Sequence, residues 1–136
     1  MKRVSFVLPE LGIGGAQDAI LALAYQFSRI HNISVVSLSS FSKSRRISDL
    51  PSRYQTLPFH QLNSSSVSKS FFQLLSFCRS NDIQYIISTC AHANILCILV
   101  SFFCKVKVIV REDNVIFARQ SFHSESVFKK YVIVIL

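Results

Sequence analysis

The sequence predicts an α/β fold in which a parallel β-sheet is flanked by helices. Short β-rich apolar runs alternate along the chain with segments whose apolar residues recur at helical spacing. The first apolar run is almost uninterrupted, as expected for a central strand buried on both faces, and all three glycines of the chain follow it. At 136 residues, the chain is long enough to form one domain of this kind.

The first half of the chain supplies two strands around one helix. Residues 3–8 form the first strand, and apolar spacing predicts a helix from about Ala16 to about Asn32. Residues 33–38 form a second short strand, which runs into a basic, serine-rich loop at residues 39–46. This order indicates a strand-helix-strand unit.

A third strand is predicted between two prolines. Pro51 and Pro58 bracket residues 54–57, which we expect at the edge of the sheet because proline is tolerated there. Residues 63–66 then form a polar loop.

The second half repeats the alternation of helices and strands. Ser68 is the predicted cap of a helix that ends near Asn81, and residues 85–88 form the fourth strand. Residues 91–104 are apolar nearly all round, which predicts a buried helix, and residues 106–110 form the fifth strand.

The glycine loop after the first strand is the main candidate for a ligand site. Glycine reaches positive φ and allows close approach to the backbone, and Gly12, Gly14 and Gly15 cluster at one strand-to-helix junction. The free N–H groups of the following helix favour an anion there, and phosphate is the obvious candidate. Alternatively, the glycines only make a tight turn and close packing.

The charge of the chain indicates an anionic partner. Fifteen Lys and Arg residues face seven Asp and Glu residues, which gives a formal charge of +8. A phosphate-bearing ligand, a lipid surface or a nucleic acid would suit this charge, although a mildly basic protein needs no such partner. No nucleic-acid recognition motif accompanies the basic residues, so we expect no specific nucleic-acid binding.

Zinc and secretion are both disfavoured by the sequence. The four cysteines form no Cys-x-x-Cys pair and have no His at ligand spacing, so we expect reduced thiols and no metal site: Cys78, Cys90, Cys97 and Cys104. The N-terminal apolar run stops at Pro9, too early for a signal peptide, and the longest apolar stretch is too short to cross a bilayer. We expect a cytoplasmic protein.

Two later loops place polar residues at the carboxyl ends of strands. His92 and Asn94 follow the fourth strand, and Arg111, Glu112 and Asn114 follow the fifth. In a doubly wound sheet this edge carries the ligand, beside the glycine loop. Helix capping and turn hydrogen bonds are the alternative for His92 and Asn94, and a solvated or ion-paired side chain is the alternative for Arg111.

Residues 7–17, 87–95 and 108–114 together resemble the N-terminal domain of family 4 GT-B glycosyltransferases. The resemblance covers essentially the whole chain and implies that residues 1–136 are a single Rossmann-like domain, the acceptor-side half of a GT-B fold. It also implies a retaining, metal-independent transfer from a nucleotide sugar, with no other cofactor. The acceptor would be a saccharide or a lipid-linked saccharide of the cell envelope.

The resemblance assigns roles to the two sets of candidate residues. Gly14 and Gly15 would lie near the donor diphosphate. The acceptor side of the cleft would be shaped by the polar residues after the fourth and fifth strands: His92, Asn94, Arg111, Glu112 and Asn114. The resemblance assigns no catalytic residue to this chain.

The family has a second domain that holds the nucleotide sugar, and we expect residues 1–136 to contain no counterpart of it. We therefore expect a truncated domain that is inactive alone. Its basic charge and the lipid-linked acceptors of the family suggest a location at the inner face of an anionic membrane. A non-catalytic remnant or a subunit that binds a partner protein is the alternative. An NAD-type dinucleotide-binding domain is disfavoured, because Gln17 replaces the third glycine of that motif and no acid ends the second strand.

Overall fold

A computed structural model describes residues 1–12, 14–39 and 46–111, which form a five-stranded parallel sheet covered by helices on both faces. The elements, with one 3₁₀ turn at Ile47–Asp49, follow in chain order: β1 (Arg3–Leu8), α1 (Gly15–Phe27), β2 (Asn32–Ser37), α2 (Ser52–Gln55), β3 (Phe59–Gln61), α3 (Val67–Ser80), β4 (Tyr85–Thr89), α4 (Ala91–Ser101) and β5 (Lys107–Arg111). The α/β fold predicted from the sequence is confirmed.

The strand order is β3-β2-β1-β4-β5, with β1 at the centre. The chain moves outward in one direction through β2 and β3, then crosses back to β4 on the other side of β1. The order therefore reverses between β1 and β4. In open parallel sheets this reversal opens a crevice at the carboxyl ends of the strands.

Two apolar clusters cover the two faces of the sheet. Alternate residues of β1 point to opposite faces, so Phe6 packs against α1 and α2 while Val7 packs against α3 and α4. Both side chains are fully buried. The core therefore holds the strands in fixed register and leaves their carboxyl ends to form loops.

The predicted third strand at residues 54–57 is wrong. Pro51 precedes a single helical turn, in which the amide of Tyr54 donates to the Pro51 carbonyl at 2.8 Å and the ring of Tyr54 is buried. The strand begins after Pro58, whose carbonyl accepts from the amide of Val35 at 2.8 Å. It does lie at the sheet edge, as expected.

The first helix is shorter than its apolar pattern predicts. It ends at Phe27, and Ile30 is 62% exposed. The amides of Ile30 and His31 both donate to the Phe27 carbonyl, because the chain turns there to begin β2 at Asn32. The following basic loop lies largely outside the described residues.

Two expectations about the later helices are also corrected. Ser66, not Ser68, caps α3, because its hydroxyl accepts from the Lys69 amide at 3.3 Å. α4 ends at Ser101 and is not buried all round: apolar side chains on its outer face and just beyond it are 44–69% exposed, namely Ile95, Leu99, Phe102 and Phe103.

Candidate functional site

The carboxyl ends of four strands meet at one edge of the sheet. The loops after β1 and β2 are joined there, because the Leu38 amide donates to the Leu8 carbonyl and the Ser39 amide donates to the Pro9 carbonyl, each at 3.0 Å. On the other side of β1, Thr89 of β4 pairs in register with Arg111 of β5. This edge carries the described candidate residues.

The glycine loop is open and has ordinary backbone angles. Gly14 is extended, with φ 173° and ψ 156°, and α1 begins at Gly15. None of the three glycines lies in the left-handed region of φ, so the expectation that the loop uses that conformation is wrong. A Cβ at Gly15 would meet no atom within 4 Å. The loop therefore gives space for close approach rather than a left-handed turn.

Gln17 lies across this loop. A Cβ at Gly14 would come within 2.8 Å of its Oε1, and one at Gly12 would lie 3.6 Å from its Nε2. In the sequence Gln17 was notable only as the residue replacing a glycine. Its amide instead presents a donor and an acceptor at the start of α1.

The passage from β4 into α4 contains a strained residue. Cys90 has φ 71° and ψ 138°, in the region that favours glycine. Strain of this kind costs on the order of 1–3 kcal/mol and is concentrated at functional sites. α4 begins directly after Cys90, with His92 exposed on its first turn.

Asn94 is buried and joins three elements. Its Oδ1 accepts from the Ser88 hydroxyl at 2.7 Å, and its Nδ2 donates to the Arg111 carbonyl at 3.1 Å. The amide thereby fixes the start of α4 against the ends of β4 and β5. The structure thus brings Asn94 and Arg111 together and places His92 nearby on the same helix. Ligand contact by any of them stays a prediction.

The other predicted residues lie at the end of β5 and beyond it. Arg111 is half-buried at the end of β5. Glu112 and Asn114 lie outside the described residues.

A cavity of about 380 Å³ opens at this edge, and we call it the serine pocket. It is lined by residues after β1 and β2, by the loop into α3 and by the first turn of α4: Pro9, Glu10, Leu38, Ser39, Ser64, Ser65, Ser66, Val67, Ser70 and His92. Sequence reasoning missed Glu10 and the serines. The polar loop at residues 63–66 was a usable signal, because a loop after a parallel strand also lies at the carboxyl edge.

Hydrogen bonds hold one wall of this pocket, which we call the serine wall and which consists of Ser64, Ser66 and Ser70. The Ser64 hydroxyl has two acceptors within reach, the Leu38 carbonyl at 2.9 Å and the Ser70 hydroxyl, and donates its one hydrogen to one of them. Ser70 in turn donates to the Ser66 carbonyl at 3.0 Å. The start of α3 is therefore fixed to the end of β2.

A larger cavity, of about 640 Å³, lies at the opposite, amino edge. Its charged lining consists of Arg3, Arg79, Lys105 and Asp82. Arg3 pairs with Asp82 at 2.9 Å, and Arg79 donates to the Phe103 carbonyl at 2.9 Å. Three of these four charged groups, Arg3, Arg79 and Asp82, are thus engaged with other residues of the chain.

Burial disfavours the thiolate form of three of the four cysteines. Burial raises the pKa of Cys78 to about 12, and burial also raises the pKa of Cys97 and Cys104. No cysteine of the chain forms a disulfide. Within residues 1–12, 14–39 and 46–111, no group of three or more His, Cys, Asp or Glu side chains is placed to hold a metal. In the same part of the chain, no helix has the length and apolarity needed to span a membrane.

A glycosyltransferase of Campylobacter jejuni matches this chain in sequence. It is the GalNAc-alpha-(1->4)-GalNAc-alpha-(1->3)-diNAcBac-PP-undecaprenol alpha-1,4-N-acetyl-D-galactosaminyltransferase, with 29% identity over 121 residues. The match covers 84% of this chain, which spans about a third of the length of that enzyme. No family model matches the chain.

Solved structures match the fold. MurG of Acinetobacter baumannii, a GT-B structure, superposes with a TM-score of 0.67 at 16% identity, over 85% of this chain and 36% of MurG. A deacetylase triple mutant from the teicoplanin biosynthetic pathway gives a TM-score of 0.60 at 11% identity, over 91% and 69% of the two chains. The fold is thus shared by proteins of different activity.

The sequence and fold comparisons agree on one point. The predicted resemblance to a glycosyltransferase is confirmed by the sequence relative, and the predicted fold is confirmed by the superposition on MurG.

Proposed function

We propose that this chain is the acceptor-binding half of a glycosyltransferase that transfers a sugar from a nucleotide sugar to a saccharide or lipid-linked acceptor. The observation that carries the proposal is the 29% match over 84% of the chain to an enzyme named for an undecaprenol-diphosphate-linked acceptor. The fold alone would not support it, since a deacetylase shares that fold.

The site divides into a donor side and an acceptor side. Open space at Gly15 and the free N–H groups at the start of α1 suit a diphosphate, so Gly14 and Gly15 would contact the donor. His92, Asn94 and Arg111 would shape the acceptor side. Glu112 and Asn114, in the same proposal, would extend it.

Transfer of this kind depends on stabilising the diphosphate as the glycosidic bond breaks. The start of α1 would meet part of that negative charge. The relative is about three times as long as the matched segment. In our proposal, a second domain would hold the nucleotide sugar and supply the remaining cations. We propose a metal-independent, retaining reaction with no cofactor beyond the nucleotide sugar.

We also propose a cytoplasmic protein that contacts the anionic inner face of a membrane. The formal charge of +8 and the exposed outer face of α4, with Lys105 just beyond it, support this location. Sedimentation with anionic and with neutral vesicles would test it: we expect salt-sensitive binding to the anionic vesicles alone. Equal binding to both would contradict it.

The direct experiment separates acceptor binding from transfer. The purified chain is mixed with UDP-N-acetylgalactosamine and a polyprenyl-diphosphate-linked N-acetylgalactosamine saccharide. We expect the acceptor to bind and no sugar to be transferred. Absence of acceptor binding would refute the acceptor-binding role, and transfer by this chain alone would refute the need for a second domain.

A subunit that completes its site with another polypeptide is a second candidate. The exposed side chains of Ile95, Leu99 and Phe102 favour it, because large apolar patches on monomers mark interaction surfaces. Co-purification of the tagged chain from its own cells, with and without an α4 face changed to Leu99→Ser and Phe102→Ser, would test it. A partner lost in the double variant supports this candidate, and a chain that purifies alone contradicts it.

A further inference from the structure

We propose that the serine pocket binds an uncharged sugar ring of the acceptor and that Glu10 determines this selectivity. The inference rests on the proposed function and extends it from an acceptor saccharide in general to one class of saccharide.

The lining of the pocket suits sugar hydroxyls. Its polar groups are serine hydroxyls, the carboxylate of Glu10 and the imidazole of His92, and no Lys or Arg side chain lines it among the described residues. Sugar hydroxyls both donate and accept, and so do serine and histidine side chains, while a carboxylate accepts from two hydroxyls at once. A volume of about 380 Å³ falls within the range of small-molecule sites.

The fixed charges of the pocket balance without an anionic ligand. The N-termini of α3 and α4 both reach it, through Ser66 and His92, and each carries a partial charge of about +0.5. The carboxylate of Glu10 contributes one negative charge. Because the described residues contribute no Lys or Arg side chain to the lining, a uronate would meet the Glu10 carboxylate without a compensating cation from them, whereas a neutral ring would meet no such repulsion.

The polar groups divide into those that build the pocket and those that face it unengaged. Ser64, Ser66 and Ser70 are held by the hydrogen bonds already described. The side chains of Glu10, Ser65 and His92 make no hydrogen bond or ion pair with another residue in the described ranges, and Glu10 and Ser65 are exposed. The preformed wall loses little freedom on binding, and the side chains of Glu10, Ser65 and His92 can bond to a ligand without breaking a bond to the protein.

The test measures binding of two probes to the purified chain by calorimetry. One probe is the methyl glycoside of a neutral N-acetylhexosamine disaccharide, and the other is the same disaccharide with a terminal uronate. We expect the uronate probe to bind about tenfold more weakly, Glu10→Gln to remove that difference, and Glu10→Lys to reverse it. Asp82→Asn, at the opposite edge, is the matched control and should leave the ratio unchanged.

Three outcomes would overturn the inference. They are equal affinity for the two probes, a ratio that Glu10→Lys does not change, and absence of binding by the neutral probe. Failure of the proposed function has a different signature, because the neutral probe would then bind with the predicted Glu10 dependence while the lipid-linked acceptor does not bind. Acceptor binding without any Glu10 dependence would leave the proposed function standing and refute this inference.

Discussion

The two edges of the sheet differ in how their polar groups are used. At the amino edge, Arg3 pairs with Asp82 and also donates to the Asn81 carbonyl at 3.2 Å, and Arg79 bonds to a backbone carbonyl. At the carboxyl edge, the smaller cavity presents Glu10 and His92 with no such partners among the described residues. Most charged groups of the larger cavity are therefore already paired where helices and strands meet, whereas the smaller cavity presents polar side chains that are free to bond to a ligand.

The largest effect is expected at Asn94, which fixes the carboxyl edge. Asn94→Leu would leave the buried Ser88 hydroxyl and the Arg111 carbonyl without their amide partner. We expect the free energy of unfolding to fall by about 2–4 kcal/mol in urea titrations. Asn81→Ala, which removes an exposed bond to the Phe77 carbonyl at the amino edge, should cost less than about 1 kcal/mol. Equal losses at the two edges would contradict this contrast.

Alkaline pH should act through the buried thiols, of which Cys78 lines the amino-edge cavity. Burial raises the pKa of Cys78 from 9.0 to about 12, so the unfolded chain loses this proton first. The contribution of this thiol to the free energy of unfolding is complete below pH 9. It is lost as the pH rises toward 12, by about 1.4 kcal/mol per pH unit. The difference between the urea midpoints at pH 8 and at about 10.5 should therefore be smaller in Cys78→Ala than in the parent. An unchanged pH dependence in the variant would rule out this thiol as the cause.

The strain at Cys90 gives a smaller effect that also marks the carboxyl edge. A β-branched side chain is poorly accommodated at φ 71°, so Cys90→Val should lower the free energy of unfolding by about 1–2 kcal/mol. Cys90→Gly accepts that angle and should stay within about 1 kcal/mol of the parent. The account of strain fails if thermal denaturation ranks glycine below valine.

Ser66 and Ser68 both lie near the start of α3, but only Ser66 caps the helix. Ser66→Ala removes the acceptor for the Lys69 amide and should cost about 1 kcal/mol. Ser68→Ala should change the free energy of unfolding by less than about 0.5 kcal/mol, because Ser68 does not cap the helix. Urea titration of both variants would show whether the serine wall begins at Ser66.

The smallest effect is expected at Gly15. Because its Cβ position is empty and its φ is not positive, Gly15→Ala should stabilise the domain by about 0.4–1 kcal/mol. A melting temperature clearly below that of the parent would mean that the loop is packed rather than open.

The sequence predicted the core better than the edges. Alternating and helical patterns located β1 and the buried face of α3 because burial imposes those patterns on the residues themselves. The turn at Ser52–Gln55 and the cap at Ser66 depend on which backbone groups need partners, which residue types alone do not specify. Of the site, the sequence identified His92 and Asn94 but not Glu10, because only the folded sheet edge brings Glu10 beside Ser64 and Ser65.

NMR titration tests directly whether a saccharide binds at the carboxyl edge of the sheet or at the amino edge. Amide chemical shifts of the ¹⁵N-labelled chain are recorded as the neutral disaccharide glycoside is added. We expect saturable changes in the amide chemical shifts of Glu10, Ser65 and His92, and no change in those of Arg3 and Lys105. Shifts confined to the amino-edge cavity, or no saturable shift at either edge, would contradict it.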